Sequence, residues 1–599
     1  MIRNIAIIAH VDHGKTTLVD EMLKTSEKKD SHEVIDSRTM DSLDLEKERG
    51  ITILAKNTAI QYKGIKINIL DTPGHADFGG EVERIMKMVD AVCLVVDAYE
   101  GVMPQTRFVL SKALQAGLKS IVVINKMDRL FARPKEVVDE VYELYLELGA
   151  TDEQLDFPII YASGIQGKSS LNEVLNDDMT PLLDKILEYV PAPKGLKENP
   201  LQFQPALLDY NDYVGRIGIG KIYEGTIKQN QIVSVVRLDG SVESFRIQRL
   251  STFMGLDRVD VKEAYAGDII AISGLADIHV GETINALNHV KPLEPLHIEK
   301  PTVKMTFLTN TGPFSGKEGK HVTSTKLEQR LLLESHRDVS LTIEKGLDSD
   351  SWVVSGRGEL HLSILIETMR REGYEFMVSR PEVILIEEDG LVKEPYEYVT
   401  IDVPNDFLGN VIELFGSRRA LLIDMHSHQT QTRITFHMPS KGLIGIQTTF
   451  LSITQGYGVL SHVFLDYRPE EKDTTIRRNT GSLVSINEGL STAYAISHLE
   501  SRGALFIEPR VEVYEGMIVG ETAKEGDLAV NITQEKQLTN IRSATKDSTI
   551  VLKRPKQMSL ENCIAFINDD ELIEITPKNI RLRKKILHTG QRRKFDKTK

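Results

Sequence analysis

Short apolar runs recur through the first 190 residues, and turn residues or a stretch with helical spacing follow each of them. Continuous apolar runs of this length are typical of strands that are buried on both faces of a parallel sheet. The predicted strands are NIAIIA (4–9), INILD (67–71), AVCLVVDA (91–98), SIVVIN (120–125) and PIIYAS (158–163). Because helical patterns such as TTLVDEMLKTS (16–26) alternate with them, we expect a doubly wound α/β domain.

A proline- and glycine-rich linker without periodicity, VPAPKGLKENPLQ (190–202), ends this region. After the linker the pattern changes to short strands separated by turns: GRIGIGKIYEGTI (215–227), QIVSVVRL (231–238) and GDIIAIS (267–273). Strands with this spacing and no helices between them predict a small β-barrel.

A second linker, HVKPLEPLHIEKP (289–301), precedes two segments with similar organisation. Residues 302–385 are interpreted as strand, helix, strand, helix and strand, and residues 395–470 repeat this order. The helix ELHLSILIETMRREGYE (359–375) has apolar residues on one face and charged residues on the other. The simplest interpretation is two α+β domains of the ferredoxin-like type.

The last part of the chain is rich in predicted strands: SLVSI (482–486), ALFIEPRVEVYEGMIVGE (504–521), DLAVNI (527–532) and STIVL (548–552). A helix is predicted at SLENCIAFINDDEL (559–572), and a basic tail follows at 581–599. The fold class is therefore multidomain α/β and β. The predicted domains are a doubly wound α/β domain (1–198), for which the motifs described below indicate a P-loop nucleotide site, a β-barrel (199–300), two α+β domains (301–390 and 391–478) and a strand-rich C-terminal domain (479–599).

Composition narrows the class of protein. Of the 599 residues, 27% are charged and 41% are apolar, as in ordinary globular proteins. The only two cysteines, Cys93 and Cys563, cannot form a disulfide framework, which favours a reducing cytoplasm. No apolar run approaches the roughly 20 residues that span a bilayer, so no membrane association is expected. The net charge of −14 argues against non-specific coating of nucleic acid, although local basic patches remain compatible with it.

The segment AHVDHGKTTL (9–18) lies between a predicted strand and a predicted helix, and it resembles a phosphate-binding loop. In such a loop the backbone N–H groups and the helix N-terminus hold the phosphates. Lys15 would reach the β- and γ-phosphates, and the Thr16 hydroxyl would bind Mg²⁺. Ala9 occupies the place of the first glycine of the usual pattern, and alanine is small enough for the loop to form.

Three further motifs lie at the ends of predicted strands: DTPGH, NKMD and the turn Ser163-Gly164 (the SG turn), which would back the base. In DTPGH, Asp71 would bind Mg²⁺ through water and the Gly74 N–H would contact the γ-phosphate. In NKMD, Asp128 would accept two N–H bonds from guanine, a donor pair that adenine lacks. Since these motifs follow in the right order, the predicted ligand is GTP. The predicted nucleotide-binding residues are Asp12, His13, Gly14, Lys15, Thr16, Thr17, Gly74, Asn125, Lys126, Met127, Asp128, Ser163 and Gly164.

The segment EKERGITI (46–53) is a candidate switch. The Thr52 hydroxyl would complete the Mg²⁺ shell only while the γ-phosphate is present; alternatively, RGITI is an ordinary strand. His75, directly after DTPG, is the residue placed to orient the attacking water, and otherwise it is a solvent-facing turn residue. Val11 and Ile51 could hold His75 away until a partner acts, or they belong to the core. No arginine is obviously positioned as a finger in cis, so the isolated protein should hydrolyse GTP slowly.

RGITI, DTPGH and NKMD together resemble the translational GTPases. The segments LDYNDYVGRIGIG, SGRGELHLSILIETMRREGYE and PSKGLIG narrow the resemblance to the BipA (TypA) family, over essentially the whole chain. The span from Tyr374 to Pro395 is too short for the decoding-site domain of EF-G-like translocases. The resemblance implies instead a C-terminal domain that contacts ribosomal RNA and the acceptor end of A-site tRNA.

Basic residues of that C-terminal domain would then contact phosphates. The candidates are Lys536, Arg542 and Lys546 in the loop 535–548, and Arg583, Lys584, Lys585, Arg592 and Arg593 in the tail. The alternatives are a solvated hairpin for the loop and a disordered, solubilising end for the tail. Arg418, Arg419, Arg477 and Arg478 are further candidates.

The resemblance implies a monomeric GTPase that binds the 70S ribosome and hydrolyses GTP as a conformational switch. It further implies a role in assembly of the large subunit and in growth under cold or nutritional stress, with guanosine tetraphosphate as a candidate competitor for GTP. One alternative is a general translocase, which the missing decoding-site domain weakens. A metabolic enzyme that uses GTP as phosphoryl donor and a non-hydrolysing RNA-binding scaffold are alternatives from other classes.

Overall fold

The structure is a computed structural model that carries side chains. It describes residues 1–27, 44–49, 52, 55–74, 76–176, 178–296, 298, 300–428, 431–471, 478, 480–535 and 551–598. The chain divides into two compact units. One comprises Met1–Lys300 and Leu333–Ser340, and the other comprises Pro301–Leu332 and Leu341–Lys599.

The first unit begins with an α/β domain. Its strands are β1 (Ile2–Ala9), β2 (Lys56–Tyr62), β3 (Ile65–Asp71), β4 (Ala91–Asp97), β5 (Lys119–Asn125), β6 (Ile159–Ser163) and β7 (Lys168–Ser170). Its helices are α1 (Lys15–Glu27), α2 (Asp44–Arg49), α3 (Gly79–Met88), α4 (Pro104–Gln115), α5 (Pro134–Glu147), α6 (Asp152–Leu155) and α7 (Thr180–Tyr189).

The sheet of this domain has the strand order β2-β3-β1-β4-β5-β6-β7. Strands β3, β1, β4, β5 and β6 are parallel, and β2 and β7 pair antiparallel at the two edges. Ile5, Ile7, Val95 and Val123 are fully buried in the core under α1 and α7. The strand order reverses beside β1, and in doubly wound sheets this is where the ligand crevice forms.

The β-barrel follows. Its strands are β8 (Gln202–Asn211), β9 (Gly215–Glu224), β10 (Thr226–Lys228), β11 (Ile232–Val236), β12 (Val242–Arg246), β13 (Arg249–Met254), β14 (Asp257–Asp260), β15 (Glu263–Tyr265), β16 (Ile269–Ser273) and β17 (Thr283–Ala286). The main sheet has the order β12-β11-β17-β8-β9-β16-β13-β14 and closes over a core that includes Phe203, Val233 and Ile270. The prediction of a barrel in this region is confirmed.

The α/β domain and the barrel share a polar interface within the first unit. Asp268 is 9% exposed and accepts hydrogen bonds from Lys66 Nζ (2.7 Å), Asn68 Nδ2 (3.2 Å) and Thr252 Oγ1 (3.2 Å). Asn4 Nδ2 donates to the Gly267 carbonyl oxygen at 2.9 Å. Asn4 lies in β1, and Lys66 and Asn68 lie in β3. The barrel is therefore attached directly to the strands that lead to the phosphate loop and the DTPGH segment.

The second unit contains the two α+β domains. The first has β18 (Val303–Thr309), α8 (Ser324–Arg337), β19 (Thr342–Lys345), β20 (Ser351–Gly356), α9 (Glu359–Arg371), β21 (Phe376–Val378) and β22 (Glu382–Val383). The second has β23 (Ile386–Glu388), β24 (Leu391–Pro404), α10 (Leu408–Ser417), β25 (Leu421–His428), β26 (Gln431–Pro439), α11 (Ser440–Leu443), α12 (Ile446–Ile453) and β27 (Val459–Pro469). Each domain contains an antiparallel pair of strands, β19 with β20 and β25 with β26, where the sequence pattern indicated one strand.

The C-terminal domain continues the second unit. It comprises β28 (Ser482–Ser485), β29 (Gly489–Leu490), α13 (Ala493–Leu499), β30 (Gly503–Leu505), β31 (Glu512–Val513), β32 (Met517–Thr522), β33 (Leu528–Val530), α14 (Leu560–Phe566), β34 (Glu571–Ile575), β35 (Ile580–Lys584) and α15 (Thr589–Thr598). Strand β34 pairs antiparallel with β21, so one sheet runs from the first α+β domain through the C-terminal domain. The two domains also share one core, in which Phe307, Phe376, Cys563 and Ile573 are buried.

One prediction of local structure in this domain was wrong, and a second is tested only in part. The helix predicted over 559–572 ends at Phe566, and its last residues belong to β34, because Glu571 and Leu572 pair across the sheet with β35. Within the predicted strand 548–552, only Val551 and Leu552 are among the described residues, and they lie in neither a strand nor a helix.

The basic tail also differs from the prediction, because it begins inside the fold. Arg583 and Lys584 lie in β35 and are 4% and 2% exposed. Lys584 Nζ is 2.5 Å from Asp527 Oδ2, 2.8 Å from Asp570 Oδ2 and 2.9 Å from Glu571 Oε1. Burial by itself would lower the pKa of Lys584, but these carboxylates outweigh burial and raise it. The prediction that Arg583 and Lys584 contact RNA is therefore wrong.

Among the helices that the structure describes, none is long and apolar enough to cross a membrane.

Candidate nucleotide-binding site

The predicted motifs meet at one edge of the α/β sheet. Strands β1, β3, β4, β5 and β6 are parallel and end at Ala9, Asp71, Asp97, Asn125 and Ser163. Each of these residues begins or adjoins one of the loops described below. The arrangement follows from topology, because the carboxyl ends of parallel strands lie side by side and the loops that leave them share one crevice.

Two residues with positive φ shape the phosphate loop between β1 and α1. Asp12 has φ +63° and Gly14 has φ +87°. A Cβ atom on Gly14 would lie 2.5 Å from Asn125 Nδ2, so glycine is required there by both conformation and space. Asn125 Nδ2 donates to the His13 carbonyl oxygen at 2.9 Å. Thr16 and Thr17 lie in the first turn of α1, where the backbone N–H groups can face an anion.

Lys15 is 8% exposed and lies between the phosphate loop and the DTPGH segment. Its Nζ is 2.9 Å from Asp71 Oδ1, and it also donates to the Thr72 carbonyl oxygen. Asp71 is fully buried, and the Thr52 hydroxyl donates to its Oδ2 at 3.4 Å. The Asp71 carboxylate thus lies directly against the Lys15 ammonium group and compensates its charge.

The residues predicted to hold Mg²⁺ supply oxygen donors only. Asp71 and Thr52 are already adjacent, and the phosphate loop places Thr16 at the start of α1. A carboxylate and two hydroxyl groups are the hard ligands that Mg²⁺ prefers, usually with water and phosphate oxygens completing the shell. The residues present therefore fit this ion.

The loop after β5 contains NKMD, the predicted base-recognition motif. Asn125 Oδ1 accepts a hydrogen bond from the Gly164 backbone N–H at 2.9 Å. Ser163 Oγ donates to Asp128 Oδ1 at 2.5 Å, and Met127 N–H donates to the Ala162 carbonyl oxygen at 3.1 Å. The SG turn after β6 thus holds the NKMD loop in place.

The end of β4 and the loop after it contribute Asp97 and Glu100, and the loop after β5 contributes Arg129. The sequence analysis did not identify these three residues. Lys126 has φ +62°, and its Nζ is 2.8 Å from Asp97 Oδ2. Arg129 Nη1 lies 3.1 Å from the same Asp97 oxygen and 3.1 Å from Glu100 Oε1. His13, which is fully buried, has its Nε2 3.6 Å from Glu100 Oε2. Asp97 lies near the end of the predicted parallel strand 91–98 and Glu100 lies just after it, and this position was the available signal.

Two ionisable groups near the phosphate loop have shifted pKa values. Contact with His13 lowers the pKa of Glu100 to about 2; burial opposes this effect and Arg129 adds to it. Burial lowers the pKa of His10 to about 3, and the neighbouring His13 adds to the shift. At neutral pH Glu100 is therefore ionised and His10 is neutral.

Of the predicted gate and catalytic residues, the structure describes Val11 but neither Ile51 nor His75, which lie outside the described residues. Val11 N–H donates to Gln105 Oε1 at 3.2 Å. A Cβ atom on Gly74 would lie 3.8 Å from Val11 Cγ2, so Val11 is next to the turn that precedes His75.

The predicted RNA-contacting residues are only partly described. Lys536, Arg542, Lys546 and Arg477 lie outside the described residues. In the tail, Lys585 and Arg593 are exposed and Arg592 is half-buried.

The arginines near the second α+β domain already have partners in the protein. Arg418 donates to the carbonyl oxygens of Gly442 and Ile444, at 3.2 and 3.1 Å. Arg419 pairs with Glu471, and Arg478 with the buried Glu571.

Comparison with known families follows the same division of the chain. Residues 1–192 match the family described as elongation factor Tu GTP binding domain, and residues 215–285 match elongation factor Tu domain 2. Residues 391–477 match elongation factor G C-terminus, and residues 480–589 match the TypA/BipA C-terminal domain. The predicted fold class and the GTP-binding domain are confirmed.

Curated relatives resemble the whole chain. It is 56% identical over 600 residues to the large ribosomal subunit assembly factor BipA of Bacillus subtilis. The alignment covers 100% of this chain and 98% of that protein. The chain belongs to the BipA family. BipA proteins with the same description in Haemophilus influenzae and Salmonella typhimurium are 51% and 50% identical, each over 100% of this chain and 97% and 98% of theirs.

A solved structure shares the fold at lower identity. A crystal structure of a Thermus thermophilus protein has a TM-score of 0.54 and 17% identity, and covers 79% of this chain and 98% of that chain. At this identity the likeness concerns the fold alone. Membership of the BipA family and the elongation factor Tu type domain make the chain a translational GTPase that binds GTP.

Proposed function

We propose that this BipA-family protein is a ribosome-dependent GTPase whose switch is set by the γ-phosphate of GTP. It would bind the factor site of the 70S ribosome with its C-terminal domain toward A-site tRNA and hydrolyse GTP to GDP and phosphate. It would act in assembly of the large ribosomal subunit and in growth under cold or nutritional stress. Guanosine tetraphosphate would compete with GTP, and the protein would act as a monomer with the five domains predicted from its sequence.

The observation that carries the proposal is the contact between Lys15, Asp71 and Thr52. Three groups expected to bind phosphate and Mg²⁺ already contact one another at the junction of the phosphate loop and the two candidate switch segments. Bound phosphate would draw Lys15 away from Asp71 and leave the carboxylate and Thr52 to the ion, which would neutralise phosphate charge. Loss of the γ-phosphate would reverse this exchange, so the ribosome would distinguish two states of one protein.

His75 is the proposed residue that orients the attacking water. Val11 lies beside the Gly74 turn, which is where an apolar gate would hold His75 back. With His75 held back, hydrolysis in the isolated protein would be slow, and ribosome binding would bring His75 to the γ-phosphate. Ile51 is proposed as the other side of the gate.

RNA contacts are proposed for basic residues of the C-terminal domain. Lys585 and Arg593 are exposed in the tail, and Arg592 lies between them. Lys536, Arg542 and Lys546 would contact the acceptor end of tRNA. Each phosphate contact that is lost should lower the slope of log affinity against log salt by roughly 0.7–0.9. Replacement of Lys585 and Arg593 together by Gln should therefore reduce the slope for ribosome binding by roughly 1.4–1.8.

The deciding experiment is GTP turnover by purified protein, alone and with 70S ribosomes. It compares wild type with His75→Ala at matched salt, together with His289→Ala, which removes an exposed imidazole from the second linker. We expect strong stimulation by ribosomes in the wild type and in His289→Ala. In His75→Ala we expect stimulation to be lost while GTP binding is kept.

Equal rates with and without ribosomes would contradict the proposal and favour a metabolic or scaffolding role. Stimulation that survives in His75→Ala would contradict the role of His75 alone. Ribosome association measured by sedimentation, with GDP and with a non-hydrolysable GTP analogue, then tests the switch. Equal binding in both states would contradict it.

A further inference from the structure

The loop after β4 provides two carboxylates beneath the nucleotide site. Asp97 is fully buried at the end of the strand, and its Oδ1 accepts hydrogen bonds from the backbone N–H groups of Tyr99 (2.8 Å) and Glu100 (3.3 Å). Its Oδ2 is 2.8 Å from Lys126 Nζ and 3.1 Å from Arg129 Nη1. Lys126 and Arg129 flank Asp128, so Asp97 anchors the base-recognition loop on both sides of the guanine-binding carboxylate.

Glu100 extends this anchor to the phosphate loop. Its Oε1 is 3.1 Å from Arg129 Nη1, and its Oε2 is 3.6 Å from His13 Nε2. The Glu100 side chain is 34% exposed, whereas that of His13 is fully buried. One side chain therefore contacts a residue of each ligand-binding loop, although these residues are far apart in the sequence.

The tautomer of His13 follows from its other contact. His13 Nδ1 is 3.3 Å from the Asp97 backbone nitrogen, which can only donate. Nδ1 is therefore the acceptor, and the ring N–H is on Nε2, which faces Glu100. The ring thus lies between the Asp97 backbone donor, 3.3 Å from Nδ1, and the Glu100 carboxylate, 3.6 Å from Nε2.

The orientation of His13 matters because its backbone is part of the phosphate loop. The His13 carbonyl oxygen accepts from Asn125 Nδ2, and Gly14 follows at φ +87° with Asn125 in close contact. The loop is thus fixed through the His13 ring on one side and through its carbonyl group on the other. Asn125 lies on the base-recognition loop, so both attachments lead to the residues that hold guanine.

We propose that Glu100 is a positioning residue that couples phosphate recognition to guanine recognition by joining His13 to Arg129. It contacts neither the base nor the phosphates; it acts by holding both loops in their binding conformation before the nucleotide arrives. Loops that are already ordered in the free protein lose less conformational entropy when the nucleotide binds, and this preorganisation increases affinity. The inference rests on GTP binding and is independent of the proposed ribosome coupling.

The test is Glu100→Gln, with nucleotide affinities measured by calorimetry. Glutamine can still accept a hydrogen bond from Arg129 but presents a neutral group, without the carboxylate charge, to His13 Nε2–H. Loss of one charge-assisted contact at each loop should weaken GDP binding by about tenfold. The control is Glu136→Gln, which removes a carboxylate that is 72% exposed on α5 and pairs with Arg133 at 3.4 Å.

Two ratios distinguish positioning from general damage. The ratio of the GMP to the GDP dissociation constant reports the phosphate loop, and the ratio of the inosine diphosphate to the GDP constant reports the base loop. We expect both ratios to fall by about threefold or more in Glu100→Gln, because a loop that is no longer held gains less from its own ligand group. We expect both ratios to be unchanged in Glu136→Gln.

Arg129→Gln provides a second route to the same result. The Arg129 side chain is 38% exposed, so this variant should fold even if Glu100→Gln does not. It should lower both ratios, and the double variant should be no worse than the more affected single variant, because both substitutions break one connection.

Several outcomes would overturn the proposal: GDP affinity within about twofold of wild type, a fall in only one of the two ratios, or an equal loss for all three nucleotides together with a lower melting temperature. Additive effects in the double variant would also overturn it. A normal response to ribosomes in a variant with both ratios lowered would leave the proposal intact.

Discussion

Replacement of Lys584 by methionine separates a buried ion pair from an RNA contact. The side chain of Lys584 is 3% exposed, and its Nζ is between 2.5 and 2.9 Å from carboxylate oxygens of Asp527, Asp570 and Glu571. Asp527 and Asp570 are partly exposed and can recover solvation by water. Glu571 is fully buried, and among the residues that the structure describes Arg478, at 3.2 Å, is the cation that still pairs with it after the substitution.

The size of the effect follows from that remaining pair. Removal of one partner of a buried ion pair lowers the free energy of unfolding by about 3–5 kcal/mol. Because Arg478 still pairs with Glu571, we expect the lower end of this range, about 3 kcal/mol. The second unit is large, and with an unfolding entropy of roughly 2.1 cal/mol/K per residue 1 kcal/mol corresponds to roughly 1.6 °C, so we expect its melting temperature to fall by roughly 5 °C. Lys584→Met combined with Glu571→Gln should recover only part of this loss, because the buried carboxylate is removed but Arg478, whose side chain is 11% exposed, then loses its partner.

The assay is thermal unfolding of the full chain, followed by circular dichroism, with Lys585→Met as the matched control. Lys585 is the next residue and is exposed, so its substitution should change the melting temperature by no more than about 1 °C. The salt dependence of ribosome binding should be unchanged in Lys584→Met and reduced in Lys585→Met. A melting temperature of Lys584→Met equal to that of the control would refute the argument from burial.

Three further predictions concern the first unit. Asn125→Ala removes two buried hydrogen bonds of 2.9 Å, so calorimetry should show GDP affinity lowered about 30-fold, or about 2 kcal/mol; an affinity near wild type would contradict this role. Lys66→Met leaves Asp268 without its cation at the barrel interface and should lower the free energy of unfolding in urea by about 2 kcal/mol. Lys63→Met, on the same hairpin, should leave that free energy unchanged, because the ion pair of Lys63 with Asp184 is exposed to solvent. Because the pKa of Glu100 is about 2 against an ordinary 4.5, its stabilising contribution is complete above pH 4.5 and is lost as the pH falls toward 2. Glu100→Gln should flatten the stability curve in that interval.

The sequence determined the first domain and the edge of the sheet at which its ligand binds. Each motif directly follows an apolar run, as Asp71 and Asn125 do, so its position in space depends only on parallel order. Local patterns were sufficient because buried strands and their following loops are defined by neighbouring residues. The same reasoning identified the barrel and the two α+β domains, but it missed the second strand of each antiparallel pair, β19 with β20 and β25 with β26.

Only the tertiary structure decided which charged residues face solvent. RLRKK has the composition of an exposed basic tail, yet β35 lies inside a sheet, and Lys584 is neutralised by Asp527, which is 57 residues earlier (584 − 527). The contact of Glu100 with His13 likewise joins segments 87 residues apart (100 − 13). Pairings at such separations depend on strand register and on the fold as a whole, which no local pattern encodes. Composition identifies a charge, but burial and partners decide whether it holds the fold together, positions a ligand loop or binds RNA.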